Sequence, residues 1–542
     1  MLVAIMLMAA ALLPDAAYQQ LSKGDARANV RELVESLEEA QLPRSADVLL
    51  ASLAADASPE VRAAAQEELA ARAVKDPAAQ SLLSRVQVSG KLPPALALSL
   101  ARDHLERALQ LSPFDQAASF DALNTGPALQ AAGGEPVPLD KELATEMGAP
   151  SVAEEKPAEK SVEAPKASAA AAQELDAARS LAAQVPAGDE AEPGAHEVAG
   201  LAALAANDDA AATKEFIAIA TLPVKRGDSA AEARRDKAYL QLARLAYATG
   251  DDAQSTDLYN RVSRNRPEWL DALFEAGWSR FRTGQDELAL GNLLTLHAPF
   301  FTNRFFPESF VLKALVFYEN CRYADARKAL VEFERRYLPL HQGLVATLSQ
   351  VQTPQAASSF LNRGATAVQT VEPGARDEVA RVEQSPDIAA NLQAAAQLAE
   401  EIDSLDQKPF RNSALVKRLS PAARSARLAL LEDAGRKFSS RLDSERAQLR
   451  ELLGQSLRIS YEIAGREKDL AASPDGAAST VVRHDRQQAK DDEEIWPFQG
   501  EYWRDELGNY RYELGRRCKK PRALPVQAAS PSTPSHLAAD PH

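Results

Sequence analysis

Seven histidines are the side chains of this 542-residue sequence best suited to proton transfer or metal binding, but they do not share ligand spacing. They are scattered along the chain: His104, His196, His297, His341, His484, His536 and His542. The sequence also lacks a glycine-rich phosphate loop, a dinucleotide fingerprint, a His-Glu-x-x-His motif and a serine in a nucleophile elbow. We therefore expect no catalytic residue, no cofactor, no metal and no small-molecule substrate; the sequence indicates a protein that is not an enzyme.

A second set of side chains, aromatic and basic, has the chemistry of protein recognition. Its members fall on the first helix of three predicted helix pairs, at positions that would line a concave face: Arg244, Tyr247, Phe274, Trp278, Phe281, Arg282 and Tyr318. Aromatic and arginine side chains dominate the binding energy of protein interfaces, so the set suits capture of an extended or acidic peptide. For Phe274 and Phe281, packing between helices is the alternative.

The helices that would position this set recur at steps of 34 and 37 residues across residues 236–333. Gly250 and Gly284 follow the first helix of the first two units, where a left-handed residue costs least as glycine. Cys321 occupies this turn position in the third unit. A period near 34 residues is typical of a helical solenoid, and the pattern resembles the tetratricopeptide repeat (TPR).

A long apolar seam follows these units, from Leu428 to Ile463, with a spacing close to a heptad. Gly435, Glu445 and Ser456 interrupt the seam. A two-stranded coiled coil needs a cleaner seam, so an antiparallel hairpin with the preceding helix over 388–405 is favoured.

The predicted fold class is all-α: a TPR-like helical-repeat solenoid with a long-helix hairpin and an aromatic C-terminal cap. A linker is predicted because residues 134–197 carry a net charge of −9, and no aromatic residue lies within 121–215. The predicted segments are a signal peptide (1–17), N-terminal helical repeats (18–130), a disordered acidic Ala/Pro/Glu linker (131–197), TPR-like repeats (198–345), a helical hairpin or coiled-coil-like region (346–480), the aromatic cap (481–520) and a disordered tail (521–542).

The net charge is −15 and the sequence has no cluster of basic residues suited to phosphate, so nucleic acid is not an expected partner.

Met1 to Leu13 is apolar, uncharged and too short to span a bilayer, which is typical of the core of a secretory signal. A buried first helix is the alternative. Two cysteines, Cys321 and Cys518, are too few for a metal cluster, and they remain open as a pair or as separate thiols.

Residues 495–512 contain six of the chain's few aromatic side chains. The segment either anchors a partner or folds back onto the solenoid, since terminal repeats need covering. Two segments carry a resemblance. The first is Phe306-Pro307-Glu308-Ser309-Phe310, which leads into Asn320-Cys321-Arg322-Tyr323 and Phe333-Glu334-Arg335-Arg336-Tyr337, and the second runs from Trp496 through Gly508 to Cys518. Together they resemble envelope TPR proteins of myxobacteria and their relatives, including the repeat component of the adventurous gliding-motility machinery.

This resemblance covers about residues 200–520. It implies a scaffold in a trans-envelope complex, periplasmic or associated with the outer membrane, that binds other envelope proteins. Because Cys321 and Cys518 both lie in the resembling segments, it also favours a disulfide between them. The lipid-bearing cysteine of the motility protein has no counterpart here. Two other functions stay open: a cytoplasmic TPR co-chaperone or regulator, and an enzyme with an unrecognised site.

Overall fold

A computed structural model describes residues 14–21, 23–73, 76, 78–79, 82, 92–111, 169–225, 227–301, 304–405, 411–472 and 497–514. Every regular element in those ranges is helical, which confirms the predicted all-α class there. The α-helices are α1 (Ala26–Glu39), α2 (Pro43–Asp56), α3 (Pro59–Ala73), α4 (Pro94–Leu111), α5 (Ala169–Ala182), α6 (Glu192–Ala205), α7 (Asp209–Thr221), α8 (Ser229–Ala248), α9 (Asp252–Asn260), α10 (Trp269–Arg282), α11 (Asp286–Leu296), α12 (Glu308–Glu319), α13 (Tyr323–Gln350), α14 (Pro354–Asn362), α15 (Ala365–Val368), α16 (Arg376–Glu383), α17 (Pro386–Leu405) and α18 (Ala414–Ala472). Short 3₁₀ turns lie at Pro299–Phe301 and Pro373–Ala375.

The middle of the chain consists of helix pairs whose turns share one geometry. Gly250, Gly284 and Cys321 follow the first helices of three successive pairs, and each has a positive φ, at 85°, 76° and 56°. Asn207, with a φ of 58°, holds the same place between α6 and α7. The left-handed turn reverses the chain, so α8 packs on α9, α10 on α11 and α12 on α13. The predicted register of these units therefore matches the observed turns.

Helix α13 extends well past the predicted end of the third unit. It runs 28 residues with Pro339 inside it, although proline removes a backbone donor and usually ends or kinks a helix. The sequence predicts mixed structure over 338–386, with turns near Pro354, Pro373 and Pro386, and the helices are interrupted just before each of these prolines. Pro354 and Pro386 then begin α14 and α17, where the missing N–H needs no partner.

Helices α17 and α18 form an antiparallel hairpin. Arg441 pairs with Asp387, with Nη1 and Nη2 lying 3.0 and 2.9 Å from the two carboxylate oxygens. Farther along the same two helices, the Asn391 side chain donates to Asp433 Oδ2 at 2.8 Å. From the first pair to the second, the residue number rises from 387 to 391 on α17 and falls from 441 to 433 on α18, so the two helices are antiparallel.

The long helix α18 packs against both an early helix, α2, and the later helices α12 and α13. Its 59 residues span about 90 Å. Leu415 and Leu419, near its start, are buried in one core with Leu49 of α2. Phe438, farther along, lies in the core of the later helices, with its ring centroid 5.7 Å from that of Phe360. Near its other end, Arg466 Nε lies 3.4 Å from the Tyr318 hydroxyl of α12.

The predicted acidic linker extends too far. Residues 131–168 lie outside the described residues, but α5 and α6 occupy most of the range from 169 onward. Leu175 and Ala178 of α5 are buried with Leu98 and Leu105 of α4. Small alanine side chains let these helices approach closely, so the segment buries apolar area without aromatic residues. The predicted signal peptide also lies almost wholly outside the described residues, as does the tail.

Residues 497–514 form a strap along α10, α11 and α12. Gly508 donates its backbone N–H to Thr295 Oγ1 at 2.9 Å, and Tyr512 donates to the carbonyl of Glu287 at 3.2 Å. A Cβ on Gly291 would lie 1.8 Å from the Tyr510 carbonyl oxygen, so only glycine allows this approach. The strap is the described part of the predicted aromatic cap. It lies along the side of the helix pairs rather than at their end. Trp496 and Cys518 lie outside the described residues.

Candidate functional site

Arg244, the first of the predicted groove residues, is held by the next helix pair. Its Nε and Nη2 lie 2.9 and 2.6 Å from the two carboxylate oxygens of Glu275 on α10. Such a bidentate pair fixes both side chains and raises the pKa of Arg244, even though burial alone would lower it. This ion pair links α8 to α10, and Glu275 occupies the guanidinium of Arg244.

Arg282 and Tyr247 form a second fastener between the same helices. The guanidinium lies 4.3 Å from the centre of the Tyr247 ring and donates to the Tyr247 carbonyl at 3.2 Å. Its Nε also lies 3.2 Å from Asp252 Oδ2. Tyr247 is fully buried, and burial raises the pKa of its hydroxyl. A partner would therefore not reach Tyr247 unless the helix pairs opened.

The remaining aromatic members of the predicted set are packed inside the chain. Trp278 and Phe281 are buried, with ring centroids 6.1 Å apart. Phe274 packs on Phe306 with centroids at 6.0 Å, and Tyr318 contacts Arg466 of α18. Most residues of the predicted set therefore join successive helices, and their role in binding a partner stays a prediction. The cause is the close stacking of the pairs, which places the aromatic side chains between helices.

An open cleft does remain, toward the N-terminal side of this set. It lies among α6, α7, α8 and the start of α10, with a volume of about 280 Å³. Only Arg244 belongs both to the cleft and to the predicted set. The lining residues are Pro193, Glu197, Leu201, Phe216, Ile219, Arg234, Lys237, Ala238, Leu240, Gln241, Arg244, Glu268 and Asp271.

The cleft combines an apolar floor with charges of both signs. Leu201, Phe216 and Ile219 supply apolar surface. At the rim, Lys237 Nζ lies 4.0 Å from Glu268 Oε1, with about half of the lysine side chain exposed. Arg234 makes no ion pair within the part of the chain that the structure describes. The rim can therefore offer both a cation and a carboxylate to a bound segment.

Asp271 is an acidic side chain of the cleft with a shifted pKa. Burial, together with the negative charge of Glu275, raises the pKa of Asp271 to about 6, although Arg244 acts in the opposite direction. The negative charge on this wall of the cleft therefore diminishes as the pH falls below 6.

A sequence signal for the cleft existed. Arg234, Lys237, Gln241 and Arg244 recur every three or four residues and so share one face of α8. Of these four residues, only Arg244 belongs to the predicted aromatic and basic set. Glu197 and Phe216 come from α6 and α7, and only tertiary packing brings them to that face.

The described ranges hold no group of three or more His, Cys, Asp or Glu side chains arranged for a metal ion. None of the helices in those ranges has the length and apolar character needed to cross a bilayer. Comparison with known proteins gives no matching family and no significantly similar curated protein.

Proposed function

We propose that this protein is a non-catalytic scaffold of TPR-like repeats that captures a segment of a partner protein in the cleft on α8. One observation carries the proposal: the cleft is open, whereas the neighbouring aromatic residues are packed between helices. Stacked helix pairs commonly present such a face to other proteins.

The lining favours a segment that is apolar in part and charged in part. An apolar side chain would contact Phe216 and Leu201, and a carboxylate would pair with Arg234. A basic group would meet Glu268, whose Oε2 is buried without a hydrogen bond among the described residues. Because the rim offers both signs, we expect a partner segment of mixed charge rather than a uniformly acidic one.

An exported scaffold of the bacterial envelope is the setting we propose. Its support is Cys321, which is disulfide-bonded in the structure, and disulfides persist in oxidising compartments. The other cysteine, Cys518, lies outside the described residues, so their pairing stays a prediction. The proposed relation to gliding-motility scaffolds and association with the outer membrane rests on the sequence resemblance alone.

The experiment is quantitative enrichment of partners from chemically cross-linked cells, using the full chain and a variant carrying Arg234→Glu and Lys237→Glu. The matched control carries Lys417→Glu and Lys468→Glu, exposed lysines of α18 that lie outside the cleft. We expect the cleft variant to lose its partner by about tenfold or more, since a few residues dominate such interfaces. The proposal fails if both variants retain the same proteins.

A further inference from the structure

A second pocket lies among the later helix pairs, beside the strap. Its volume is about 430 Å³, within the range of small-molecule sites. Three helices, His297 and the strap supply its walls: Leu290, Leu293 and Leu294 of α11; His297, which directly follows α11; Phe310, Lys313 and Phe317 of α12; Asp325, Lys328, Ala329, Glu332, Arg335 and Arg336 of α13; and Tyr502 and Tyr512 of the strap.

The floor of this strap pocket is apolar and aromatic. His297 stacks on Phe310 with ring centroids 4.1 Å apart, and its Nε2 lies 2.8 Å from Ser309 Oγ. Tyr512 meets Phe317 edge to face at 5.7 Å. An acyl or aryl group placed here would replace contact with water by contact with leucine and aromatic carbon.

The rim is basic on balance. Lys313 Nζ lies 3.4 Å from Glu332, and Arg322 neutralises Asp325, so the two acidic side chains of the pocket are paired. Lys328 and Arg335, seven residues apart on the same face of α13, have no ion pair among the described residues. They are exposed and lie at the mouth of the pocket.

The titration of His297 agrees with a positive interior. Burial, together with the nearby positive charges of Lys313 and Arg336, lowers the pKa of His297 to about 3. The imidazole is therefore neutral at physiological pH, and the cations around it face the same space. A negative group in the pocket would be attracted by Lys313 and Arg336, whereas the neutral His297 would contribute no charge.

We propose that the strap pocket binds an anionic amphiphile. The acyl or aryl body lies on the floor between α11 and α12, and the carboxylate or phosphate group pairs with Lys328 and Arg335. The strap forms one wall through Tyr502 and Tyr512, so occupancy also holds the strap against the helices. This site is separate from the α8 cleft and does not depend on the function proposed for it.

The test uses dodecyl phosphate, added below its micelle concentration to the full chain, with binding followed by displacement of anilinonaphthalene sulfonate fluorescence. Dodecanol serves as the neutral analogue. The rim variant carries Lys328→Glu and Arg335→Glu, and the control carries Lys417→Glu and Lys468→Glu, which changes the net charge equally. All four residues are exposed, so helicity by circular dichroism should not change.

We expect saturable binding of dodecyl phosphate that weakens about tenfold or more in the rim variant and is unchanged in the control. A parallel flotation with phosphatidic acid vesicles identifies the source. Binding of the monomeric phosphate shows a free ligand, whereas capture on vesicles alone, lost in the rim variant, shows a lipid headgroup. Equal binding of dodecanol, equal loss in both variants, or no binding in either assay overturns the proposal.

Discussion

The carboxylate of Glu401, on α17, accepts a 2.6 Å hydrogen bond from the backbone amide of Ser45, 356 residues earlier in the chain. Its other oxygen accepts from the amide of Arg44 at 3.0 Å. Both amides lie in the first turn of α2, whose own N-cap, Leu42, provides no side-chain acceptor. Glu401 therefore caps α2 from a distant helix, and the cap ties the hairpin to the beginning of the fold.

Substituting Glu401→Ala should lower the free energy of unfolding by about 1–2 kcal/mol, because it leaves two helix N-terminal donors without acceptors. The neighbouring Glu400→Ala is the control, since Glu400 is exposed and should cost no more than about 0.5 kcal/mol. Urea titrations measure both. Equal stability of the two variants would show that the cap does not hold α2.

Substituting Trp278→Ala should destabilise the protein by about 3–5 kcal/mol, because it empties space in the core between helix pairs. Gln241→Ala, in the α8 cleft, should change stability by less than about 0.5 kcal/mol. Thermal and urea unfolding compare the two. A stable Trp278→Ala protein would restore the sequence-based interpretation of Trp278 as a groove residue.

Gly291→Ala should release the strap. Its Cβ would collide with the Tyr510 carbonyl, whereas a Cβ at Gly454 meets nothing within 4 Å. Both glycines lie inside helices, so both substitutions gain about 1 kcal/mol of helix propensity, and only one is opposed by a collision. Trypsin cleavage after Arg504 and Arg511 should accelerate in Gly291→Ala alone. If Gly291→Ala were cleaved no faster than the unmodified chain, the strap would not lie against Gly291.

Glu445→Gln should alter how stability depends on pH. Burial and the neighbouring Glu378 raise the pKa of Glu445 to about 8, while Arg381 opposes the shift. The folded state then retains a proton that the unfolded state releases near its ordinary pKa of 4.5, so stability falls as the pH rises from about 4.5 to 8.

Because glutamine is neutral at every pH, the Glu445→Gln protein should lose less stability between pH 5 and pH 8 than the unmodified chain. Exposed Glu451→Gln is the matched control. Urea midpoints across this pH range measure the effect. Parallel pH profiles for the unmodified chain and Glu445→Gln would contradict the shifted titration.

Cys321 should resist alkylation until a reductant is added, because it is disulfide-bonded. Pairing with Cys518 would close a loop of nearly two hundred residues, for which chain-entropy models give roughly 5 kcal/mol. Mass spectrometry of protein treated with iodoacetamide, with and without reductant, decides the question. Two alkylated cysteines without reductant would rule out the bond in solution.

The repeat register was predictable because it depends on local chemistry. Gly250 and Gly284 mark left-handed turns by residue type, and the period then assigns the same turn to Cys321, where the φ is also positive. The interrupted apolar seam from Leu428 to Ile463 likewise favoured an antiparallel hairpin over a two-stranded coiled coil, and α17 and α18 form that hairpin.

The interruptions of the α18 seam carried information that only the structure explains. Gly435 admits the backbone of α14, since a Cβ there would lie 2.5 Å from the Pro354 carbonyl oxygen. Ser456 lies 3.0 Å from Glu334 on α13, and Glu445 pairs with Arg381 on α16. Each irregular position therefore meets another helix, whereas Leu428, predicted to belong to the seam, is exposed.

The α8 cleft could be predicted only in part, because its two sides come from different helix pairs. The stripe from Arg234 to Arg244 is visible in the sequence, but the partners of these residues depend on how closely the pairs stack. The aromatic side chains looked like a binding surface by residue type, and packing density decided that most of them are core.

The most direct test of the scaffold function is site-specific photo-cross-linking in living cells. A benzoylphenylalanine replaces Gln241 in the α8 cleft or, as the control, exposed Gln342 on α13. We predict that the probe at position 241 yields a discrete adduct with one partner protein, absent with the probe at position 342 and diminished when Arg234→Glu is added. No adduct at position 241, or the same adducts at both positions, would contradict the account.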